Sequence, residues 1–105
     1  MKITAIIPTL NEEIHIEASI KSVDFADEII VIDSFSTDQT VKLAKHHHVK
    51  IVQRIFDDFS SQKNFAIDLA KNDWIYILDA DERVTPDLRN EILNIDEKTT
   101  KFVGF

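Results

Sequence analysis

The sequence contains no cysteine and only one glycine, Gly104. The absence of cysteine excludes disulfide bonds, thiolate zinc sites and a cysteine nucleophile, and it fits a protein of the reducing cytosol. A phosphate-binding P-loop and a GxGxxG dinucleotide motif both require several glycines, so neither can occur in this chain. A nucleotide ligand would have to be held by other groups.

Positive charge and long apolar runs are also scarce. Twelve Lys and Arg residues stand against nineteen Asp and Glu residues, and the net charge of −7 repels a phosphate backbone. We therefore expect no nucleic-acid partner. No apolar run approaches the roughly 18 residues of a membrane-spanning helix, so we expect no transmembrane segment. The 105 residues, 44% of them hydrophobic, suffice for one globular domain spanning residues 1–105.

Hydrophobic periodicity predicts alternating strands and helices. Short apolar, β-branched segments favour four strands, at residues 2–7, 28–32, 50–54 and 74–78. Between them, an apolar stripe at Ile16, Ile20 and Val23 predicts a helix of about three turns, capped by Thr9 or Asn11. Three more helices are predicted, at residues 37–45, from Ser60 or Ser61 onward, and from Pro86 onward. This order predicts an α/β fold with a parallel sheet covered by helices on both faces.

Polar residues follow the predicted strands where ligands bind in parallel sheets, at the carboxyl ends. Asp79 and Asp81 directly follow an apolar strand, and Asp33 follows another. A D-x-D pair can converge on Mg²⁺ or Mn²⁺, which prefers oxygen ligands and leaves positions open for phosphate. We interpret Ser36 and Asp38 as ordinary helix caps, because such residues favour helix starts.

Five segments resemble the inverting family 2 glycosyltransferases, which have a GT-A fold. They are IIPTLNEE at 6–13, VIDSFSTDQT at 31–40, QKNFA at 62–66, YILDADE at 76–82 and TPDL at 85–88. The resemblance implies a Rossmann-like, nucleotide-diphospho-sugar-binding half of about four β-α units with strand order 3-2-1-4. Ser34 and the LDADE form are most similar to the bacterial branch that adds glucose or related sugars to lipopolysaccharide core and other cell-envelope glycans.

The resemblance also implies a binding site. A nucleotide-sugar donor, taken to be a UDP-sugar, would contact six residues: Pro8, Thr9, Glu12, Asp33, Lys63 and Asp79. Asp81, together with Asp79, would ligate Mn²⁺ or Mg²⁺, which neutralises the leaving diphosphate.

The activity implied is transfer of the sugar, with inversion, to a cell-envelope glycan or lipid-linked acceptor. We expect a cytoplasmic protein at the inner face of the membrane, with any peripheral membrane association made by parts outside this chain. The family places its carboxylate base well beyond the D-x-D pair. We therefore expect the chain to be truncated before the acceptor-binding half, and no catalytic residue is assigned.

Two other functions remain open at this point. One is a non-catalytic nucleotide-binding module descended from such an enzyme. The other is a receiver-type phosphoacceptor domain, although that fold needs an acid pair directly after the first strand, where this chain has Thr9 and Asn11.

A few further residues have simpler interpretations. We expect Trp74 to lie in the core. Phe56 and Phe59, in the loop before the third helix, could pack beneath that helix or touch the nucleotide base, and we favour packing. The histidines at 46–48 are expected at a solvated helix end, where the helix dipole favours positive charge, and we do not expect them to form a metal site with His15. Lys63 and Arg83 are basic residues near the predicted site, each either a ligand contact or a surface charge.

Overall fold

The computed structural model describes residues 2–94 and the backbone of residues 102–104, which form a parallel sheet with helices on both faces. The strands are β1 (Ile3–Thr9), β2 (Glu28–Asp33), β3 (Lys50–Gln53), β4 (Trp74–Ile77) and β5 (Phe102–Gly104). Their order is β3-β2-β1-β4-β5, so the predicted order 3-2-1-4 is confirmed. Strand β5 is not predicted by the sequence pattern, because a three-residue strand containing glycine carries almost no periodic signal.

Four helices alternate with the strands: α1 (Ile16–Ser22), α2 (Thr40–Ala44), α3 (Phe59–Leu69) and α4 (Pro86–Leu93). The first two are shorter than predicted, since α1 has about two turns and α2 begins at Thr40. Neither Thr9 nor Asn11 caps α1. The residue at its N-cap is His15, whose side chain makes no capping hydrogen bond. The Thr9 side chain bonds instead to Asp33 at the end of β2, and the Asn11 side chain bonds to Thr37 in the loop that follows.

The other two helices have conventional N-terminal caps. The Asp58 carboxylate accepts a hydrogen bond of 2.7 Å from the Ser61 backbone N–H, which moves the start of α3 slightly ahead of the predicted position. Pro86 is the first residue of α4, as predicted, and Thr85 caps that helix. Within the described part of the chain, no helix combines the length and the apolar character needed to cross a bilayer.

Alternate residues of the strands face two apolar layers. Ile3, Ala5 and Ile7 of β1 join the cluster that packs under α1, α2 and α4, whereas Ile6 joins a second cluster with Ala66 of α3. Both faces of the sheet are therefore covered, as the apolar strands predicted. Burying each isoleucine contributes about 1.5–3 kcal/mol relative to its exposure, so these layers hold the sheet that carries the site.

The aromatic residues follow the prediction only in part. Trp74 is 6% exposed and lies in the core, as expected. The packing predicted for Phe56 and Phe59 is wrong, since they are 43% and 83% exposed and their rings contact each other edge to face at 5.2 Å. They follow β3, which is the edge strand of the sheet among the described residues, so no neighbouring strand covers the segment that carries them.

One of the histidines differs from its predicted solvated state. His47 lies just after α2, and its Nε2 is 2.8 Å from the Glu17 carboxylate of α1. This hydrogen bond is the main reason that the pKa of Glu17 falls below its ordinary value. The contact ties the end of α2 to α1.

The parallel pairing brings the predicted strand ends to one edge. Thr9 pairs with Asp33, and Ile6 pairs with Ile77. The strand ends at Pro8, Asp33 and Asp79 therefore lie along the carboxyl edge of a single sheet, as predicted. The strand order reverses between β1 and β4, which is where parallel sheets bind ligands.

Candidate functional site

The loops that follow β1 and β2 meet around the buried carboxylate of Asp33, which is 0% exposed. One carboxylate oxygen accepts hydrogen bonds from the hydroxyls of Thr9, at 2.7 Å, and Ser36, at 2.5 Å. The other accepts from the Ser36 backbone N–H, at 2.9 Å, and from the Gln53 amide, at 3.2 Å. These four bonds occupy the usual acceptor positions of a carboxylate.

The electrostatics of Asp33 follow from these contacts. Burial by itself raises the pKa of this carboxyl group, but the hydrogen bonds from Ser36, Thr9 and Gln53 favour the ionised form more strongly. The net result is a pKa below the ordinary value of 3.8. Asp33 is therefore an ionised residue that holds three elements together.

The two loops are also joined directly to each other. The Asn11 backbone N–H donates to the Ser36 hydroxyl at 2.8 Å, and the Asn11 side-chain oxygen accepts from the Thr37 backbone N–H at 2.8 Å. The Glu12 backbone N–H donates to the Thr40 hydroxyl at 2.8 Å. These reciprocal bonds fix the relative position of the two loops.

Asp38 and Ser36 have different roles at the start of α2. Asp38 accepts hydrogen bonds from the Thr40 backbone N–H, at 2.9 Å, and from the Thr40 hydroxyl. It lies one residue before the N-cap of α2, which is Gln39, a residue whose side chain makes no capping hydrogen bond. The prediction that Ser36 caps the helix is wrong. Its hydroxyl is engaged by Asp33, at the end of β2, and by Asn11, in the loop after β1.

Each loop contains one residue in the left-handed backbone region, Asn11 with φ 53° and Phe35 with φ 59°. Asparagine visits this region readily, but the β-carbon of most other residues makes it about 1–2 kcal/mol unfavourable. Phe35 is also 51% exposed. It thus combines an unfavourable backbone conformation with an exposed ring.

The D-x-D pair lies in a turn directly after β4. Leu78 and Ala80 are buried, whereas Asp79 and Asp81 are exposed. The Glu82 backbone N–H donates to the Asp79 carbonyl at 2.9 Å, and the Glu82 carboxylate accepts from the Asp79 backbone N–H at 3.2 Å. Glu82 therefore closes the turn that presents both aspartates.

Arg83 stabilises the same turn through hydrogen bonds to its backbone. Its guanidinium donates to the carbonyls of Ala80, at 3.0 Å, and Glu82, at 2.7 Å. It also lies 3.2 Å from Nδ1 of His15. Because a guanidinium can only donate, this imidazole nitrogen accepts, and the turn is linked to the start of α1.

The carboxylates of Asp79 and Asp81 make no hydrogen bond or ion pair with the residues that the structure describes. Within the same residues, no three His, Asp or Glu side chains converge as a complete protein cage for a metal ion. Mg²⁺ commonly binds one or two carboxylates and completes its shell with phosphate oxygens and water. The acidic turn fits that mode of binding.

Of the other predicted site residues, Pro8, Thr9 and Glu12 lie at this edge. Pro8 and Thr9 end β1, and Thr9 is 4% exposed because its side chain bonds to Asp33. Glu12 is half-buried in the first loop. Lys63 is exposed on α3, which covers the opposite face of the sheet from α1. The hydrogen bonds of Asn11, Ser36 and Arg83 were not predicted from the sequence. The signal that could have indicated them is the presence of polar residues at matching positions after neighbouring parallel strands.

A parallel sheet of this order, with an acidic turn where the order reverses, is typical of the GT-A fold. The sequence profile described as "Glycosyl transferase family 2" matches residues 4–104, and the chain belongs to this family. Membership decides against the receiver-domain alternative.

Two curated relatives illustrate the match. A glycosyltransferase of Rickettsia bellii (strain RML369-C) is 47% identical over 92 residues, which cover 87% of this chain and 31% of the relative. The lipopolysaccharide core biosynthesis glycosyltransferase LpsC of Rhizobium meliloti (strain 1021) is 28% identical over 110 residues, covering all of this chain and 41% of LpsC. The chain thus spans about a third of the length of the first relatives that it matches.

A solved structure shows the same fold. Glucosyl-3-phosphoglycerate synthase from Mycobacterium tuberculosis, in complex with Mn²⁺, uridine diphosphate and glucosyl-3-phosphoglycerate, superposes with a TM-score of 0.66 at 28% sequence identity. The similarity covers 75% of this chain and 33% of the synthase. The predicted GT-A architecture is confirmed.

Proposed function

We propose that residues 1–105 form the donor-binding domain of an inverting glycosyltransferase, which holds a nucleotide-diphospho-sugar and a divalent metal ion. The observation that carries this proposal is the contrast at the carboxyl edge of the sheet. Two exposed carboxylates without protein partners among the described residues lie beside a pair of loops that hydrogen bonds hold in place.

The acidic turn is proposed to hold the metal ion. Asp81 is the main carboxylate ligand, and Asp79 either joins it or contacts the ribose or sugar of the donor. Mn²⁺ or Mg²⁺ bound there would neutralise the diphosphate leaving group, which lowers the barrier to breaking the glycosidic bond. The M. tuberculosis synthase, solved with Mn²⁺ and uridine diphosphate, supports this choice of ion and of a UDP-sugar donor.

The two joined loops are proposed to receive the nucleoside. Pro8, Thr9 and Glu12 line the base and ribose, and Lys63 approaches the nucleotide from α3. Asp33 was expected to contact the base or ribose, but its oxygens are already engaged by protein donors. We therefore propose that Asp33 contributes to the nucleoside site chiefly by fixing the loops that form it.

A cell-envelope glycan or lipid-linked acceptor is supported by the similarity to LpsC, a lipopolysaccharide core biosynthesis enzyme. We propose that the protein works in the cytoplasm at the inner face of the membrane.

Among the described residues we assign no catalytic base. Burial, with a smaller effect of the Glu82 charge, raises the pKa of Tyr76 to about 12, so its hydroxyl stays protonated at neutral pH.

Calorimetric titration of the chain tests the donor site. In the presence of Mn²⁺, UDP and a UDP-sugar should bind, and inorganic pyrophosphate should bind more weakly, because it lacks the nucleoside that the two loops receive. A chain that folds but binds no nucleoside diphosphate with Mn²⁺ or Mg²⁺ would contradict the proposed function.

A transfer assay separates the donor-binding domain from a complete enzyme. Transfer needs an acceptor site and a base aligned with the donor, and that alignment can lower the barrier by about 7–11 kcal/mol. Incubation with labelled nucleotide sugars, Mn²⁺ and envelope glycans should therefore give no glycoside product and at most slow donor hydrolysis. Efficient transfer by this chain alone would show that the base lies within it.

A further inference from the structure

Among the residues that the structure describes, the exposed ring of Phe35 belongs to neither apolar cluster. We infer that Phe35 is a further binding residue of the donor site, whose ring provides a stacking surface for the base of the nucleotide donor. This inference rests on the proposed function, because it assumes that a nucleotide binds at the carboxyl edge of the sheet.

The first support is the backbone conformation of Phe35, with φ 59°. Glycine and asparagine adopt this conformation most readily, and the facing loop does use an asparagine, Asn11, at φ 53°. The chain nevertheless has phenylalanine in the second loop and its single glycine elsewhere, at Gly104. A residue held in an unfavourable conformation beside a candidate site points to a role for its side chain.

The second support is that the backbone on both sides of Phe35 is fixed. The Ser34 backbone N–H donates to the Thr9 carbonyl at 2.9 Å, and the Ser36 backbone N–H donates to the Asp33 carboxylate at 2.9 Å. The Ser36 hydroxyl is itself held by Asp33 and Asn11. Because the turn is already ordered, a ligand that contacts the ring does not need to order it on binding.

The third support is the combination of exposure and place. Phe35 is 51% exposed and belongs to neither apolar cluster. It lies two residues beyond the end of β2, next to the loop after β1, and so on the edge proposed to receive the nucleoside. Every nucleobase offers a flat face that can stack on an aromatic ring.

Phe59 provides a useful contrast. It is more exposed, at 83%, but its ring contacts Phe56 and it lies at the start of helix α3. Its backbone does not have a positive φ, and it does not lie between the hydrogen bonds that join the loops after β1 and β2. Exposure alone therefore does not single out Phe35.

The test compares Phe35→Gly and Phe35→Asn with the unchanged chain. Both substitutions suit the left-handed conformation, so the unfolding temperature should be equal to or above that of the original chain. The affinity for UDP with Mn²⁺ should fall about tenfold, the loss expected for one base–aromatic stack. The affinity for inorganic pyrophosphate should not change, since it has no base. Phe35→Tyr should retain UDP binding, and Phe59→Asn should leave it unaltered.

The outcomes separate this inference from the proposed function. Unchanged UDP affinity in both variants would overturn the stacking role while leaving the donor site intact. Equal losses for UDP and pyrophosphate would also overturn it, because the ring would then support the loop and not the base. If the original chain bound neither UDP nor pyrophosphate, the proposed function would fail and the stacking role with it.

Discussion

The two halves of the site use their acidic groups in opposite ways. In the loops after β1 and β2, Asp33 is buried and accepts four hydrogen bonds from the protein. In the turn after β4, the carboxylates of Asp79 and Asp81 are exposed and have no partner among the described residues. The same side chain thus acts as structural support in one region and as an available ligand in the other.

The difference shows that the role of an aspartate in this site depends on whether its carboxylate is buried or exposed. A buried carboxylate needs donors around it, so its removal leaves those donors without partners and lowers stability. An exposed carboxylate is solvated by water, so its removal changes little until a cation is added. Substitutions in the first region should therefore change folding, and those in the second should change binding.

The largest expected effect is that of Asp33→Ala. This substitution leaves the buried Thr9 hydroxyl and the half-buried Ser36 without their acceptor. We expect the free energy of unfolding to fall by about 3 kcal/mol, measured by urea denaturation. Asp24→Asn, which changes an exposed acid beyond the end of α1, is the control and should have little effect. A loss below about 1 kcal/mol for Asp33→Ala would contradict the supporting role, since one ordinary hydrogen bond contributes that much.

A smaller effect is expected for Asn11, which combines a left-handed backbone with a hydrogen bond to Thr37. Asn11→Ala should lower the free energy of unfolding by about 1–2 kcal/mol. Asn11→Gly keeps the backbone conformation and loses only the amide, so it should be the less destabilising of the two. Equal effects would show that the backbone conformation contributes nothing.

The pH dependence of stability tests the charge of Asp33. Its pKa in the folded protein is lowered from 3.8, so its contribution is fully present above that value and is lost as the pH falls through the folded pKa. The stability advantage of the original chain over Asp33→Asn should therefore be constant near neutral pH and shrink below about pH 4. Urea denaturation of both chains from pH 7 to pH 2.5 measures this difference in the free energy of unfolding. An advantage that persists unchanged at pH 2.5 would show that the charge is not responsible.

The smallest effect on stability is expected in the acidic turn. Asp79→Asn and Asp81→Asn each remove an exposed charge that has no partner among the described residues. The free energy of unfolding, measured by thermal denaturation without metal, should therefore change by less than about 0.5 kcal/mol. Glu82→Gln is the informative comparison, because the Glu82 carboxylate accepts from the Asp79 backbone N–H. A large destabilisation by Asp81→Asn would mean that Asp81 supports the turn itself.

Local features of the sequence predicted most of the fold. The apolar, β-branched strands and the helix that starts at Pro86 can be recognised from residues that are adjacent in the sequence. The same holds for the position of Asp79 and Asp81 after a buried strand. The bonds between the loops could not be predicted in the same way, because Asn11 and Thr37 are 26 positions apart and either could have served its own helix. Strand β5 was missed because its pairing with β4, and not its composition, makes it a strand.

The central claim is that Asp81 is a metal ligand of a nucleotide site. The most direct test is the ratio of UDP affinities measured by calorimetry with Mn²⁺ and with a chelator, for the original chain, Asp81→Asn and the control Asp24→Asn. We expect metal to tighten UDP binding at least tenfold in the original chain and the control, and to make almost no difference in Asp81→Asn, whose stability is unchanged. A metal dependence that survives intact in Asp81→Asn would contradict the assignment.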